Sequence, residues 1–463
     1  MDRKGADMES AVPNKVSPLA VEPVGKLLMK FAVPSIIGML GTALYNIVDQ
    51  IFIGQYAGVP GNAATNVAFP ITTICLSMIL LLGVGGASNF NLAMGRGNPE
   101  KAGHMAGNAI SMMVIMGISF CLIVRLFLEP LLHLFGATEN VLSYALTYTG
   151  ITSIGIPFLM LANGSSHLIR ADGSPAYSMA IMVTGAVANT ILDPIFIFKL
   201  DMGIAGAAWA TVISQVLTCV LAVLYLRRFR TMKLTRELFI PRLRYVKAIL
   251  TLGVASCFNQ LAMALMQIVM NNTLTYYGAL SQYGSEIPLA CVGVVSKVNV
   301  LLIAFIVGTA QGSQPIIGFN YGAKNYDRVK ETYKKAILTV TVISTIGFLC
   351  FQIFPHQIIR IFGSGDDLYY QFATKYFRIF MVLTFLNGIQ PTTSNFFTSI
   401  GKANRGILLS LTRQILFLLP LVLILPAFLG IDGVMYAGPV ADLAAFLLSV
   451  FLVRRELRRM DVA

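Results

Sequence analysis

Charge is what this chain has least of. Only 12% of its 463 residues are Asp, Glu, Lys or Arg, against roughly 25% in a soluble domain, while 56% are hydrophobic. That balance excludes an ordinary soluble enzyme or scaffold. Cysteine is sparse as well. Cys75, Cys121, Cys219, Cys257, Cys291 and Cys350 lie inside apolar segments and form no CxxC pair, so they read as small packing residues rather than disulfides or metal ligands. The four histidines are scattered and offer no metal cluster. The opening stretch MDRKGADMESAVPNKVSP has no apolar core, so no cleavable signal peptide is expected and the first membrane helix directs insertion.

What the chain does have is long apolar runs. Twenty or so apolar residues cross the roughly 30 Å of hydrocarbon as a helix, and continuous rather than alternating runs point to helices over a barrel. Twelve spans are predicted, at 31–54, 63–94, 104–127, 140–169, 176–199, 203–226, 246–277, 288–319, 332–354, 370–399, 404–427 and 432–453. The net charge of +13 would suggest nucleic acid in a soluble protein. Here 27 of the 34 Lys and Arg fall on one set of alternating loops and termini. The stretch 227–247 holds eight of them, whereas the loops near 55–62, 128–139, 278–287 and 428–431 hold none. This is the positive-inside pattern, with both termini cytoplasmic and no nucleic-acid partner.

The chain also repeats itself. Residues 26–57 match 247–278 at an offset of 221, GVGGASNFNLAMGRGN near 83 matches GTAQGSQPIIGFNYGAKN near 308, and MGIAGAAWA near 202 matches LGIDGVMYA near 429. The expected fold is therefore an all-α polytopic membrane protein of twelve transmembrane helices, in two six-helix lobes related by a parallel internal repeat. The boundaries follow: 1–25 an N-terminal cytoplasmic segment, 26–226 the first lobe, 227–245 a basic cytoplasmic linker, 246–453 the second lobe and 454–463 a cytoplasmic tail. Parallel repeats of this kind build alternating-access transporters, although duplication alone also makes a symmetric scaffold.

A charge at mid-membrane costs about 2.5–3.5 kcal/mol on insertion scales, so each one is a functional candidate. Five stand out: Asp49, Asp193, Lys297, Arg413 and Asp442. Asp49 and Asp193 fall at similar depth on the first and fifth helices. Asn189 precedes Asp193 by one turn on the same face. Tyr45 does the same for Asp49, and Thr211 and Tyr148 reach that layer from the sixth and fourth helices, about 8–12 Å below the outer surface. Pro194 has no N–H to give, which should free the Thr190 carbonyl and bend the helix beside the acid.

Two carboxylates in such a wall cannot both stay ionised without a cation. The pocket should hold either H+ or Na+, the latter on Asp49, Asn189, Asp193 and Thr211. The repeat places Met270 and Leu421 where Asp49 and Asp193 would recur, so coupling belongs to the first lobe. Lys297, Arg413 and Asp442 form a candidate buried polar network, with Arg413 and Asp442 as the expected pair, serving structure or substrate handling. GVGG at 83–86 lies inside a membrane helix and reads as close helix packing rather than a phosphate loop. Some of the 21 Met and 29 Phe should line an adaptable apolar cavity.

Several ordered blocks resemble the multidrug and toxic compound extrusion (MATE) family across essentially the whole chain. They are PSIIGMLGTALYNIVDQIFIG at 34–54, LIRADGSPAYSMAI at 168–181, NTILDPIFIF at 189–198, MGIAGAAWATVISQ at 202–215 and QGSQPIIGFNYGAKN at 311–325. The resemblance implies a prokaryotic antiporter of the bacterial inner membrane, with no cofactor beyond the coupling ion. It implies export of small drug-like molecules, often amphipathic organic cations. Its cation and proton site falls on Asp49, Tyr45, Asn189, Asp193, Thr211 and Tyr148. Where some members carry a fourth-helix asparagine, this chain has Ser166, with Asn163 nearby. The alternative is a flippase for a lipid-linked anionic head group, which would need several cations converging on a central cavity. A membrane enzyme would need clustered acids, His or metal ligands at a membrane face, and no loop supplies them. Membrane lipids are the only other partner expected, and the chain is expected to act as a monomer.

Overall fold

The computed structural model describes residues 17–362 and 367–462. The first sixteen residues of the expected N-terminal segment, and Ala463 of the tail, lie outside them. Among the described residues there is no strand, and eleven helices are long and apolar enough to cross a membrane. These are α1 (Val24–Gly58), α2 (Pro60–Gly95), α3 (Pro99–Leu126), α4 (Glu139–Ala171), α5 (Pro175–Lys199), α6 (Gly203–Leu226), α7 (Leu243–Ala279), α8 (Glu286–Gly322) and α9 (Tyr326–Ile353), then α11 (Ala403–Leu429) and α12 (Ile431–Val462).

The twelfth, α10, is built in two pieces, Asp367–Phe380 and Ile389–Ser399. The uninterrupted span expected at 370–399 is thus broken near its middle. Between the pieces the backbone makes turns and a single 3-10 turn at Thr384–Leu386. The Thr384 hydroxyl donates to the Met381 carbonyl at 2.7 Å. Non-helical backbone survives at membrane depth only where protein covers it. Gly388 allows that cover, because a Cβ there would lie 2.9 Å from Val340 Cβ and 3.0 Å from Ser344 Oγ on α9.

Elsewhere the sequence sets the boundaries closely. The loop expected at 55–62 shrinks to a reversal at Gly58, whose φ of 59° and ψ of −145° end α1. Beyond Pro194, α5 widens into a π-helical turn, Ile195–Lys199, the usual way a helix absorbs a missing N–H. A second π-helical stretch, Thr412–Leu418, lies inside α11.

The repeat is visible in backbone conformation. Gly97 and Lys324 both take positive φ (70° and 60°), as do Gly173 and Gly401 (83° and 82°) and Gly203 and Gly430 (57° and 61°). These pairs sit 227, 228 and 227 residues apart, at matching turns of the two halves. One large apolar core runs from Ile71 to Ile249, within the first half and the start of α7. A second runs from Met266 to Ala441. The two lobes are therefore separately packed bodies.

They touch at one end, the end that carries the basic loops. A Cβ on Gly253 of α7 would lie 1.7 Å from the Leu81 carbonyl of α2, and one on Gly85 would lie 2.1 Å from the Ile249 carbonyl. Gly308 and Gly312 of α8 close in the same way on Ile36 and Ala32 of α1. Polar contacts reinforce the seam: Asn89 donates to the Ala248 carbonyl at 3.0 Å, Gln314 to Ser88 at 2.7 Å, and Arg170 to Gln311 at 3.0 Å. Among the described residues no side-chain hydrogen bond or ion pair joins the lobes at the opposite end.

The basic linker is not a loose strap. Asn108 of α3 accepts the Arg242 N–H at 2.7 Å and donates to the Leu238 carbonyl at 3.0 Å. Asp172, just beyond α4 and buried, accepts from the Tyr225 hydroxyl, the Arg230 and Thr231 N–H groups and the Thr231 hydroxyl at 2.6–3.0 Å. A bond to a charged group contributes about 1.5–3 kcal/mol. Asp172→Ala is accordingly expected to lower the melting temperature of the detergent-solubilised protein, while Arg236→Ala, on the exposed side of the linker, should not. Equal melting curves for Asp172→Ala and the parent would show that the clamp contributes nothing. At the far end of the chain α12 runs without a break to Val462, so the expected tail is helical. Lys402 and Arg405 hold the buried Glu456 there, and Lys330 holds Asp461.

Candidate functional site

The six residues singled out in the first lobe come together. Asp49 is buried on the side of α1 facing the lobe interior, and Asp193 on α5 is fully buried. Their carboxyl groups lie within direct electrostatic reach of one another. The Asn189 amide, one turn before Asp193, donates to Asp193 Oδ1 at 3.2 Å and reaches Thr211 Oγ1 on α6 at 3.4 Å. Tyr45, Asp49, Tyr148 and Thr211 line a cavity of about 160 Å³. Tyr45, Asn189 and Thr211 also line a smaller adjoining one of about 50 Å³. The phenols of Tyr45 and Tyr148 both lie in the field of the two carboxylates.

The chemistry of this pocket lies in what is left over. Asp49 Oδ1, Asp193 Oδ2 and Asn189 Oδ1 are buried and have no hydrogen-bond partner within the protein. Buried polar atoms are paired in the great majority of cases, and each exception calls for an explanation. Here all three orphans are oxygen acceptors, two of them on side chains one turn apart on α5 and the third on Asp49 of α1. An acceptor-only cluster is completed by a proton, shared between facing carboxyls, or by a cation with a taste for oxygen. Two carboxylates, rather than three, suit a single positive charge. Among the described residues no group of three His, Cys, Asp or Glu is placed to hold a metal ion.

Two neutral amides complete the pocket. Gln215 follows Thr211 by one turn on α6, lines both cavities and has its Oε1 buried without a partner. Its amide lies so close to Gly155 of α4 that a Cβ there would fall 1.8 Å from Oε1. The i, i+4 spacing from Thr211 is the signal that points to Gln215. On α4 it is Asn163 that lines both cavities. Ser166 turns away, donating to its own helix at the Ala162 carbonyl.

The second lobe is built differently. Met270 belongs to its apolar core, and Leu421 packs against that core. Arg413, in the π-helical stretch of α11, donates through Nε to Asp442 Oδ1 at 2.5 Å. The side-chain amide of Asn387, from the break in α10, has one end 2.9 and 3.1 Å from the oxygens of the same carboxylate, an approach that its nitrogen satisfies and its oxygen would not. Asp442 is thus fully occupied. Lys297 does not join this network as expected: it is exposed and makes no ion pair among the described residues. The physical reason is angular, since Lys297 lies on the side of α8 opposite the core residues Cys291, Val292 and Val295.

Comparison with known proteins bears on this architecture. The sequence model of the MatE family matches residues 34–195 and 255–424. The multidrug export protein MepA of Staphylococcus haemolyticus is 26% identical over 444 residues, covering 94% of this chain and 95% of that one. MepA of Staphylococcus aureus is 26% identical over 446 residues with the same coverage. An outward-facing multidrug-resistance MATE transporter of the MOP superfamily superposes with a TM-score of 0.90 at 24% identity, over 97% of this chain and 99% of that one. A MOP-superfamily transporter from Pyrococcus furiosus gives 0.89 at 24% identity, over 96% and 98%.

Proposed function

The chain belongs to the MatE family of multidrug-efflux transporters, and we propose that it is a secondary antiporter which exchanges inward H+ or Na+ for outward amphipathic organic compounds, often cationic, by alternating access. The observation that carries this reading is the trio of orphaned oxygens on Asp49, Asn189 and Asp193. Entry of one positive charge relieves them, and its release on the other side restores the deficit. Thr211, Tyr45 and Tyr148 complete the coupling site, which resides in the first lobe alone. Its ligands for Na+ are Asp49, Asn189, Asp193 and Thr211. The reaction is transport rather than chemistry, and no cofactor enters it.

With the basic end cytoplasmic, both termini lie on the cytoplasmic side of the bacterial inner membrane, and the seam between the lobes is closed inward and open outward. The lobes of 26–226 and 246–453, joined by the linker 227–245, then rock about that seam. The whole pathway belongs to one chain, which fits a monomer in direct contact with membrane lipids. One elementary charge moving down about 100 mV yields about 2.3 kcal/mol, enough to concentrate a neutral substrate about 50-fold. A flippase would need several cations converging on the gap, whereas Arg413 is neutralised by Asp442.

Vesicles of the purified protein, with pH and sodium gradients imposed separately, test the proposal. One of the two gradients is expected to drive substrate uphill against the ion, and an ionophore that collapses it should halt the movement. Uphill flux with neither gradient, or none with either, sinks the antiport reading.

A further inference from the structure

Of the two intramembrane cations, Lys297 and Arg413, Lys297 is the one that no ion pair takes up among the described residues, and its place on α8 says what it faces. Gly308 follows it by eleven residues, three turns along nearly the same line, and Gly308 packs on Ile36 of α1. Lys297 therefore belongs to the stripe of α8 that looks at the first lobe. Near Gly308 that stripe is closed against α1. At Lys297, about 16 Å farther toward the open end, it is exposed. The same change occurs on α7. Gly253 packs on α2, and the residues that continue its stripe are Gln260, Gln267 and Asn271, of which Gln267 is exposed and donates to Asn271 at 2.8 Å. On α1 the stripe through Ile36 reaches Gln50, also exposed. A lysine turned to lipid at this depth would cost about 2.5–3.5 kcal/mol, so the exposed ammonium faces a water-filled cleft.

The cleft so defined carries amides and one cation. The acid on these stripes is Glu286 at the mouth, eleven residues and about 16 Å from Lys297, beyond the range of a pair. Asp442 is held by Arg413 and Asn387, and Asp49 points into the first lobe. On the premise that the chain is a small-molecule transporter, we propose that its cleft takes amphipathic molecules bearing an acidic group, anionic or zwitterionic, and that Lys297 is the residue that recognises that group. A carboxylate placed there gains a charge-assisted bond, with the amides of Gln267 and Asn271 one helix away to accept or donate beside it. A monocation gains no charge-assisted bond at this point.

Two dyes with one ring system separate the cases. Rhodamine 110 has a free carboxyl group, and rhodamine 123 is its methyl ester. Binding of each to the purified full chain is read by fluorescence polarisation, with no ion gradient. Wild type is expected to prefer rhodamine 110. Lys297→Gln should weaken rhodamine 110 about tenfold, the scale of one charged contact, and leave rhodamine 123 within about twofold. Lys297→Arg should keep the preference, which a merely structural lysine would not require. Equal loss of both dyes, an unchanged rhodamine 110 affinity in Lys297→Gln, or a wild type that binds the ester as tightly overturns the assignment. Because no gradient is imposed, a protein that fails to couple ions can still pass this test, and one that couples ions can fail it.

Discussion

Asp49→Asn is expected to insert and fold normally, yet to export no faster than cells that lack the protein. The substitution keeps the side chain's shape and removes its charge. Asp49 and Asp193 meet deep in the first lobe, with an unpartnered oxygen on each. An amide at either position supplies its own N–H to the facing carboxylate, so the site is satisfied without a passenger ion. Nothing then needs to enter for the lobe to be content, and nothing leaves when it rocks. The roughly 50-fold gradient that one charge sustains should collapse to none. Asp193→Asn should do the same, since the two acids act as one unit. Asn189→Ala, which removes a donor 3.2 Å from Asp193, should weaken coupling without abolishing it. Efflux assays in a strain stripped of its own pumps, with membrane levels checked by immunoblot, read the result. Wild-type efflux from either aspartate variant would remove the coupling assignment.

Much of this architecture was legible in the sequence because membrane helices make charge conspicuous. Asp49 and Asp193 stand out against apolar neighbours, and depth counted along 1.5 Å per residue placed them in one layer with Tyr45, Tyr148, Asn189 and Thr211. The repeat was legible for a similar reason: turns such as Gly173 and Gly401 must adopt positive φ, and their positions recur. Gln215 and Asn163 were harder to read. A neutral amide carries little insertion penalty, so nothing in composition separates one that lines a cavity from one that packs. The break in α10 was hidden because residues 370–399 read as one apolar span, with Asn387, Gly388 and Pro391 as the hints of an interruption. Lys297 and Arg413 share a depth but not a partner. Which of two such cations meets Asp442 depends on helix rotation and on the π-helical stretch at Thr412–Leu418, neither of which the residue string records. The linker concealed Asp172 in another way, since a run of arginines reads as solvated although its backbone is clamped to a single acid.

The largest loss of stability is expected at Arg413, for a reason the repeat supplies. At offsets of 228 and 227, Arg413 falls on Gly185 and Asp442 on Gln215, two residues that line the first lobe's cavities. Where the first lobe leaves space beside two acids, the second fills the equivalent space with a guanidinium of its own. Under the antiport proposal one lobe carries its cation covalently and the other would recruit one, which would account for a single coupling site in a shared fold. Arg413→Met should therefore strand Asp442, which is buried with its remaining contact at Asn387. Removing one partner of a buried pair costs about 3–5 kcal/mol. Replacing both is often neutral, because the desolvation cost of both charges disappears with them. The double variant Arg413→Met with Asp442→Leu is accordingly expected to recover most of the melting temperature lost by Arg413→Met. If it also exports at the wild-type rate, the pair is a packing device. Export that stays lost in a protein that melts like the parent would give the second lobe's ion pair a part in transport itself, and a single variant as stable as wild type would show that Asp442 had found a proton or water in place of its arginine.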